Sequence, residues 1–98
     1  MTALRLRPRA VRDLEQIWTW TAERFGLAQA ERYVTTIRDT CTALASGTIS
    51  GTDISDLRRG YRKVRTGRHL IFFPSEGDGR IEVVRILHER MDPASHLR

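Results

Sequence analysis

Tyr61-Arg62-Lys63-Val64-Arg65-Thr66-Gly67-Arg68-His69-Leu70-Ile71-Phe72-Phe73 is the stretch on which the fold turns. Before it, apolar residues recur every three or four positions; from Tyr61 onward the period is two. Tyr61 to Thr66 reads as one strand, Gly67 as a tight turn, and His69 to Phe73 as a second strand. That second strand is apolar on both faces, which marks it as central in its sheet. Pro74 stops it. Ser75 to Gly79 is a polar turn, with Gly77-Asp78-Gly79 reading as a hairpin tip. Arg80 to His88 then supplies a third strand through Ile81, Val83, Val84, Ile86 and Leu87.

Two helical patterns precede this meander. Ala10, Leu14, Ile17, Thr21 and Phe25 share one face, with Val11 and Trp18 beside them, while Arg12, Asp13, Glu15, Gln16, Thr19 and Glu23 take the other. Gly26 ends the run as a C-terminal cap. The start is poorly capped, because Arg7 stands where Ser or Asp would accept amide protons. A second helix runs from Leu27 to Ser46 on Ala30, Tyr33, Val34, Ile37, Cys41, Leu44 and Ala45. The short break makes the two helices an antiparallel hairpin. Ahead of them, Ala3 to Arg7 alternates as a short half-buried strand. Gly47 to Gly60 is turn-rich, and Met91 to Arg98 is short, polar and helical for one turn at most.

The pattern therefore predicts an α/β (α+β) two-layer sandwich of order β-α-α-β-β-β, a helical hairpin packed on a mainly antiparallel sheet. A chain of 98 residues fits one domain, 1–98. Its core is thin, so function belongs on an edge or groove rather than in an enclosed pocket. One cysteine, Cys41, excludes an internal disulfide and sits at an apolar helical position. Leu4 and Leu6 alternate with arginines, so no signal peptide is read, and no segment is long and apolar enough to span a bilayer. The expected setting is cytoplasmic, with no membrane partner. No metal-ligand spacing and no phosphate-binding glycine loop is present, so neither metal nor cofactor is expected.

The formal charge is +5, and sixteen of the seventeen basic residues are Arg. Arg58, Arg59, Arg62, Lys63, Arg65 and Arg68 fall in a window without acids. Arg62 and Arg65 point to opposite faces of their strand, whereas Arg58, Arg59 and Lys63 can line a loop and edge. Two readings stand side by side: contact with nucleic acid or an acidic partner segment, and charged edges that resist aggregation. Arg85 interrupts an apolar strand, so its guanidinium must find a carboxylate or reach solvent. Glu82 and Glu89 are near in sequence, but Glu82 points to the opposite face. His88 beside an arginine fits a general acid with a phosphate clamp in RNA cleavage. Trp18 reads as core. Trp20 falls off the stripe and either packs under the second helix or anchors a partner.

Leu6-Arg7-Pro8-x-Ala10-x-x-Asp13-Leu14-x-x-Ile17 resembles the opening of ParE/RelE-type toxins. Gly26 with Ala30, Leu57-x-x-Gly60-Tyr61-Arg62 and the His69 to Phe73 strand are similar too. The tail Ile81-x-Val83-x-Arg85-Ile86-Leu87-His88-x-Arg90-Met91-Asp92 looks most like the ParE branch, and the resemblance covers nearly the whole chain. It implies the same fold. It also implies a toxin that poisons DNA gyrase, traps the cleaved DNA complex and blocks replication, acting by binding rather than as an enzyme. A ParD-like antitoxin would neutralise it through a C-terminal segment that folds on the toxin, and operator DNA would be met only through that antitoxin. Candidate target-binding residues are Arg58, Arg59, Arg62, Lys63, Arg85, His88 and Arg90. Candidate antitoxin-binding residues are Trp20, Tyr33, Arg62 and Arg65. The ribonuclease branch offers an alternative, a ribosome-dependent mRNA interferase with Arg62, Arg65, Arg85 and His88 as its cleavage set. A third reading is an inactive member kept as an antitoxin-binding module.

Overall fold

The computed structural model describes residues 3–75 and 80–97. β1 (Ala3–Leu6) leads into α1 (Pro8–Phe25) and α2 (Leu27–Ala45). There follow β2 (Thr52–Asp53), β3 (Tyr61–Thr66), β4 (His69–Pro74), β5 (Arg80–Val83), β6 (Arg85–His88) and the one-turn helix α3 (Pro93–His96). The expected succession is present, with β2 added inside the turn-rich segment. The hairpin tip expected at Gly77-Asp78-Gly79 lies outside the described residues.

Pro8 stands in the first turn of α1, where its missing N–H costs no helical bond. Arg7 provides no side-chain cap and instead pairs with Glu82 on β5. Gly26, with φ 91°, breaks the chain between the helices: its amide closes the end of α1 on the Ala22 carbonyl. The helices pack side by side over the sheet. Ala10, Ile17, Ile37, Cys41, Leu44, Ile71, Phe73, Val83 and Ile86 form one buried cluster, with Leu14 against it. This shared interior is the one that the two periodicities demand.

The main sheet has the order β2-β3-β4-β6, and every pairing in it is antiparallel. β4 is internal, as its doubly apolar sequence requires. The strand expected over 80–88 is divided at Val84. Its first half, β5, pairs in parallel with β1 as a separate two-stranded ribbon. Its second half, β6, pairs with β4. The Val84 amide donates to the Phe72 carbonyl at 2.8 Å, and consecutive valines are buried in opposite directions, Val83 under the helices and Val84 in a second cluster. An uninterrupted ladder could not serve both neighbours.

That second cluster, Ile54, Tyr61, Phe72, Val84, Leu87 and Leu97, covers the other face of the sheet. The C-terminal segment, polar by composition, contributes its buried Leu97 here. α1 also lies differently from its apolar stripe. The positions it buries are Ala10, Asp13, Ile17 and Thr21, while Val11, Trp18 and Phe25 remain exposed. Asp13, expected on the solvent side, is thereby turned inward. No helix of the described residues is long and apolar enough to cross a membrane.

Candidate functional site

Where α1 and α2 cross the β3–β4 turn, a trough of about 620 Å³ opens, lined by Trp20, Tyr33, Arg68, His69, His88 and Arg90 among others. It continues into a second hollow of about 360 Å³ that shares Trp20, His69 and His88 with it. Register places the two imidazoles together. His69 at the start of β4 pairs with His88 at the end of β6, and their rings meet edge to face at 5.3 Å.

Tyr33 locks this arrangement from α2. Its hydroxyl lies 2.6 Å from His69 Nδ1 and accepts the Arg68 amide at 3.0 Å. The Thr66 carbonyl is a longer contact at 3.4 Å. The hydroxyl oxygen accepts the Arg68 amide, and its short contact with Nδ1 holds the His69 ring in place, the donor being set by the ring's tautomer. Burial, reinforced by the neighbouring His88, pushes the His69 pKa down to about 4, so the ring is uncharged at neutral pH. Gly67 permits the approach of the tyrosine. Its φ is 59°, and a Cβ there would lie 2.7 Å from Tyr33 Cε1. A glycine with positive φ at the first central position is the pattern of a type II′ hairpin turn.

Glu89 follows His88 and holds two arginines of the turn region, Arg65 at 2.6 Å and Arg68 at 3.4 Å. The bond from Arg65 is the main reason its carboxyl titrates below the usual range. The Arg90 amide donates to His88 Nδ1 at 3.2 Å, leaving Nε2 as the ring's protonated nitrogen in the neutral form.

Arg85 found a carboxylate, but neither of its sequence neighbours. Its Nε and Nη2 donate to the two oxygens of Asp13 at 2.8 and 2.9 Å, and Nη1 reaches the His96 carbonyl at 3.3 Å. The Asp13 carboxylate also accepts the outward amide of Ile86 at 2.9 Å, so it closes part of the β6 edge. The guanidinium is a tie between α1, β6 and the C-terminal turn. As a freely presented clamp, which both the target-binding and ribonuclease sets require, Arg85 does not fit this geometry.

Arg62 is engaged as well, its Nε and Nη2 donating to the Ser50 and Gly51 carbonyls at 2.7 Å each. It pins the loop before β2 to β3 and stands apart from Arg85 and His88. The four residues of the cleavage set are therefore not brought together: Arg62 and Arg65 lie on alternate faces of β3, while Arg85 and His88 line the hollow that adjoins the trough. Arg58 and Arg59 remain exposed before β3, with Arg58 over the Tyr61 ring at 5.1 Å. Lys63 is half-buried opposite Thr52. Trp20 is not covered by α2. It is 53% exposed, with Phe25 edge to face at 6.1 Å and the Arg24 guanidinium 5.0 Å from its ring centre.

A third hollow, of about 600 Å³, runs between β1, α1 and α2. Leu4, Val11 and Trp18 are exposed along it, and Arg38 stands among its lining residues. The sequence reading buried Trp18 and so missed this face; the neighbouring apolar Val11 was the available signal. Cys41 lies beneath it, and burial raises its thiol to about 11, far from a reactive thiolate. Among the described residues, no three His, Cys, Asp or Glu side chains cluster as metal ligands would.

This architecture has relatives. The chain is 40% identical over 87 residues to Toxin ParE1 of Mycobacterium tuberculosis, covering 89% of each chain. It is 35% identical over 97 residues to Toxin ParE1 of Caulobacter vibrioides, covering 99% of each. With Toxin ParE of Escherichia coli it shares 37% identity over 98 residues, covering 99% of this chain and 94% of that one. A solved structure described as the chromosomal ParDE TA system from P. aeruginosa superimposes with a TM-score of 0.73. That match has 21% identity and covers 90% of this chain and 96% of that one. The family model for the ParE toxin of the type II toxin–antitoxin system parDE matches residues 4–93, and the chain accordingly belongs to the ParE toxin family.

Proposed function

We propose that this toxin inhibits DNA gyrase by binding it, and that a ParD-like antitoxin holds the toxin inactive. Membership of the ParE family supports this choice of target. The observation that favours binding over RNA cleavage is the fate of the basic side chains. Arg62 is fixed on carbonyls, Arg65 on Glu89 and Arg85 on Asp13, so three members of the cleavage set already hold partners within the chain.

The exposed Arg58 and Arg59 and the half-buried Lys63 at the β2–β3 end, together with His88 and Arg90 at the trough, are the target-facing candidates that this arrangement leaves accessible. For the antitoxin, the apolar face of Leu4, Val11 and Trp18 is the better seat than Tyr33 or Arg62, whose polar ends are engaged internally. Exposed apolar surface with one charge of each sign beside it, Arg38 and Glu15, suits a segment that folds as it binds. Trp20 gives that segment a further anchor.

A supercoiling assay with purified gyrase tests the proposal. Rising toxin should abolish supercoiling and accumulate cleaved DNA, and pre-incubation with the cognate antitoxin should restore activity. Full supercoiling at large toxin excess, with translation arrested in a cell-free system instead, would replace this reading with the ribonuclease one.

A further inference from the structure

The trough between Trp20 and the β3–β4 turn contributes His88 and Arg90 to the target-facing candidates, but the gyrase reading gives its aromatic wall no role. We infer that it binds an unpaired nucleic-acid strand, taking a base against its aromatic wall and the flanking phosphates on Arg68 and Arg90.

Three observations carry this. The first is shape: an open trough of about 620 Å³ is within the size range of sites that hold one nucleotide-sized ligand. The second is the wall. Trp20, more than half exposed, stands with Tyr33 and the two imidazoles, four flat rings along one hollow. Rings of this kind stack bases without regard to sequence, and only an unpaired strand can offer a base face. The third is charge. The described residues lining this trough include no carboxylate, while Arg68 and Arg90 are both exposed beside it. Arg68 shares Glu89 with Arg65 at the longer distance of 3.4 Å, so it can turn to a phosphate while Arg65 keeps the carboxylate. Asp13, the acid of the adjoining hollow, is already paired with Arg85.

The ring of His69 is a stacking surface rather than an extra cation. His69 is held neutral by burial and is fixed in orientation by the Tyr33 hydroxyl. A duplex would keep its bases stacked on one another and would meet only the arginines. The inference is separate from the choice of gyrase as target, because it concerns the isolated toxin and needs no third protein.

Fluorescence anisotropy tests it with the purified toxin and end-labelled oligo-dT and oligo-rU strands, against a blunt duplex of equal length. Both single strands should bind more tightly than the duplex, and any preference between them identifies DNA or RNA as the source. Trp20→Ala should weaken single-strand binding by about tenfold or more. Arg68→Gln and Arg90→Gln should each weaken it and flatten the log–log salt dependence by about 0.7. Arg9→Gln, equally cationic but outside the trough, is the control. Each variant keeps its circular dichroism and melting point as proof of folding. Equal affinity for duplex and single strand, or equal losses with Arg9→Gln and the trough variants, would reduce the binding to bulk charge and overturn the inference. So would no detectable binding at low salt.

Discussion

Asp13 and Arg85 meet in a two-pronged ion pair across 72 residues of sequence, with both side chains largely removed from solvent. Removing one partner of a buried pair leaves the other charge uncompensated, which costs about 3–5 kcal/mol. Asp13→Ala and Arg85→Ala should therefore each lower the unfolding free energy by that order in urea titrations. Asp13→Leu combined with Arg85→Met should recover most of the loss. The recovery should stop short by about 1–3 kcal/mol, because the Ile86 amide loses its acceptor too.

The same pair marks how far the sequence could be read. Local pattern located both helices and the β3 and β4 strands, the helices by their apolar stripes, β3 by alternation, and β4 by an apolar run bounded by Gly67 and Pro74. The partner of Arg85 was not legible. An isolated polar residue on an amphipathic helix reads as solvent-facing, and only the docking of α1 against the β6 edge turns Asp13 inward. The break at Val84 was hidden for a related reason. Val83 and Val84 look like one apolar run, and their division depends on β1 and β4 competing for the same strand. The trough was legible only as parts, since His69 and His88 become neighbours through strand register rather than through sequence spacing.

Gly67 and Tyr33 form a matched pair at the trough. Gly67→Ala strains a positive φ and drives a methyl into the tyrosine ring. It should cost about 1–3 kcal/mol. Tyr33→Phe keeps the ring and removes only the hydroxyl bonds, so it should cost about 1 kcal/mol. The two separate in a proton-NMR readout of His69: Tyr33→Phe should shift its ring resonances with little loss of stability, whereas Gly67→Ala should lower the melting temperature as well.

His69 makes stability depend on pH in a defined window. Its folded pKa is about 4, below the ordinary histidine value of 6.5. Between those values the unfolded chain binds a proton that the folded chain refuses, so stability falls as pH drops from about 6.5 toward 4. Because the ring is only partly buried, solvent screening reduces the loss attributable to it to on the order of 1–2 kcal/mol across the window. Glu89 acts in the same direction, but its contribution is lost only once pH falls below the ordinary carboxyl range. Urea midpoints of the wild type should decline between pH 7 and pH 5. Those of His69→Gln should be much flatter over that interval, and a parallel decline in both would assign the effect elsewhere.

The exposed Trp18 face gives a direct test of antitoxin docking. Trp18 and Val11 are 37% and 44% exposed, so each still packs in part against the toxin, and the melting temperatures of Trp18→Ala and Val11→Glu are measured beside their affinities. A tryptophan at the centre of an interface contributes about 2 kcal/mol or more, which is roughly thirtyfold in affinity. Calorimetric titration with the cognate antitoxin should show losses of that size for both variants. Unchanged affinity would move the antitoxin's seat to another face, with Trp20 the next position to substitute.

Arg59 and Arg62 separate the two jobs of the basic residues before and along β3. Arg62 donates to two loop carbonyls, so Arg62→Ala should lower stability by about 1–3 kcal/mol whatever the toxin's target. Arg59 is exposed, and Arg59→Glu should leave stability within about 0.5 kcal/mol. If that end meets gyrase, reversing a rim charge slows association and makes the interaction less sensitive to salt. Half-inhibition of supercoiling should then need several times more Arg59→Glu toxin at low salt, with the difference shrinking as salt rises. An Arg59→Glu toxin as potent as the wild type at every salt concentration would remove the β2–β3 end from the target interface and leave the His88–Arg90 end to carry it.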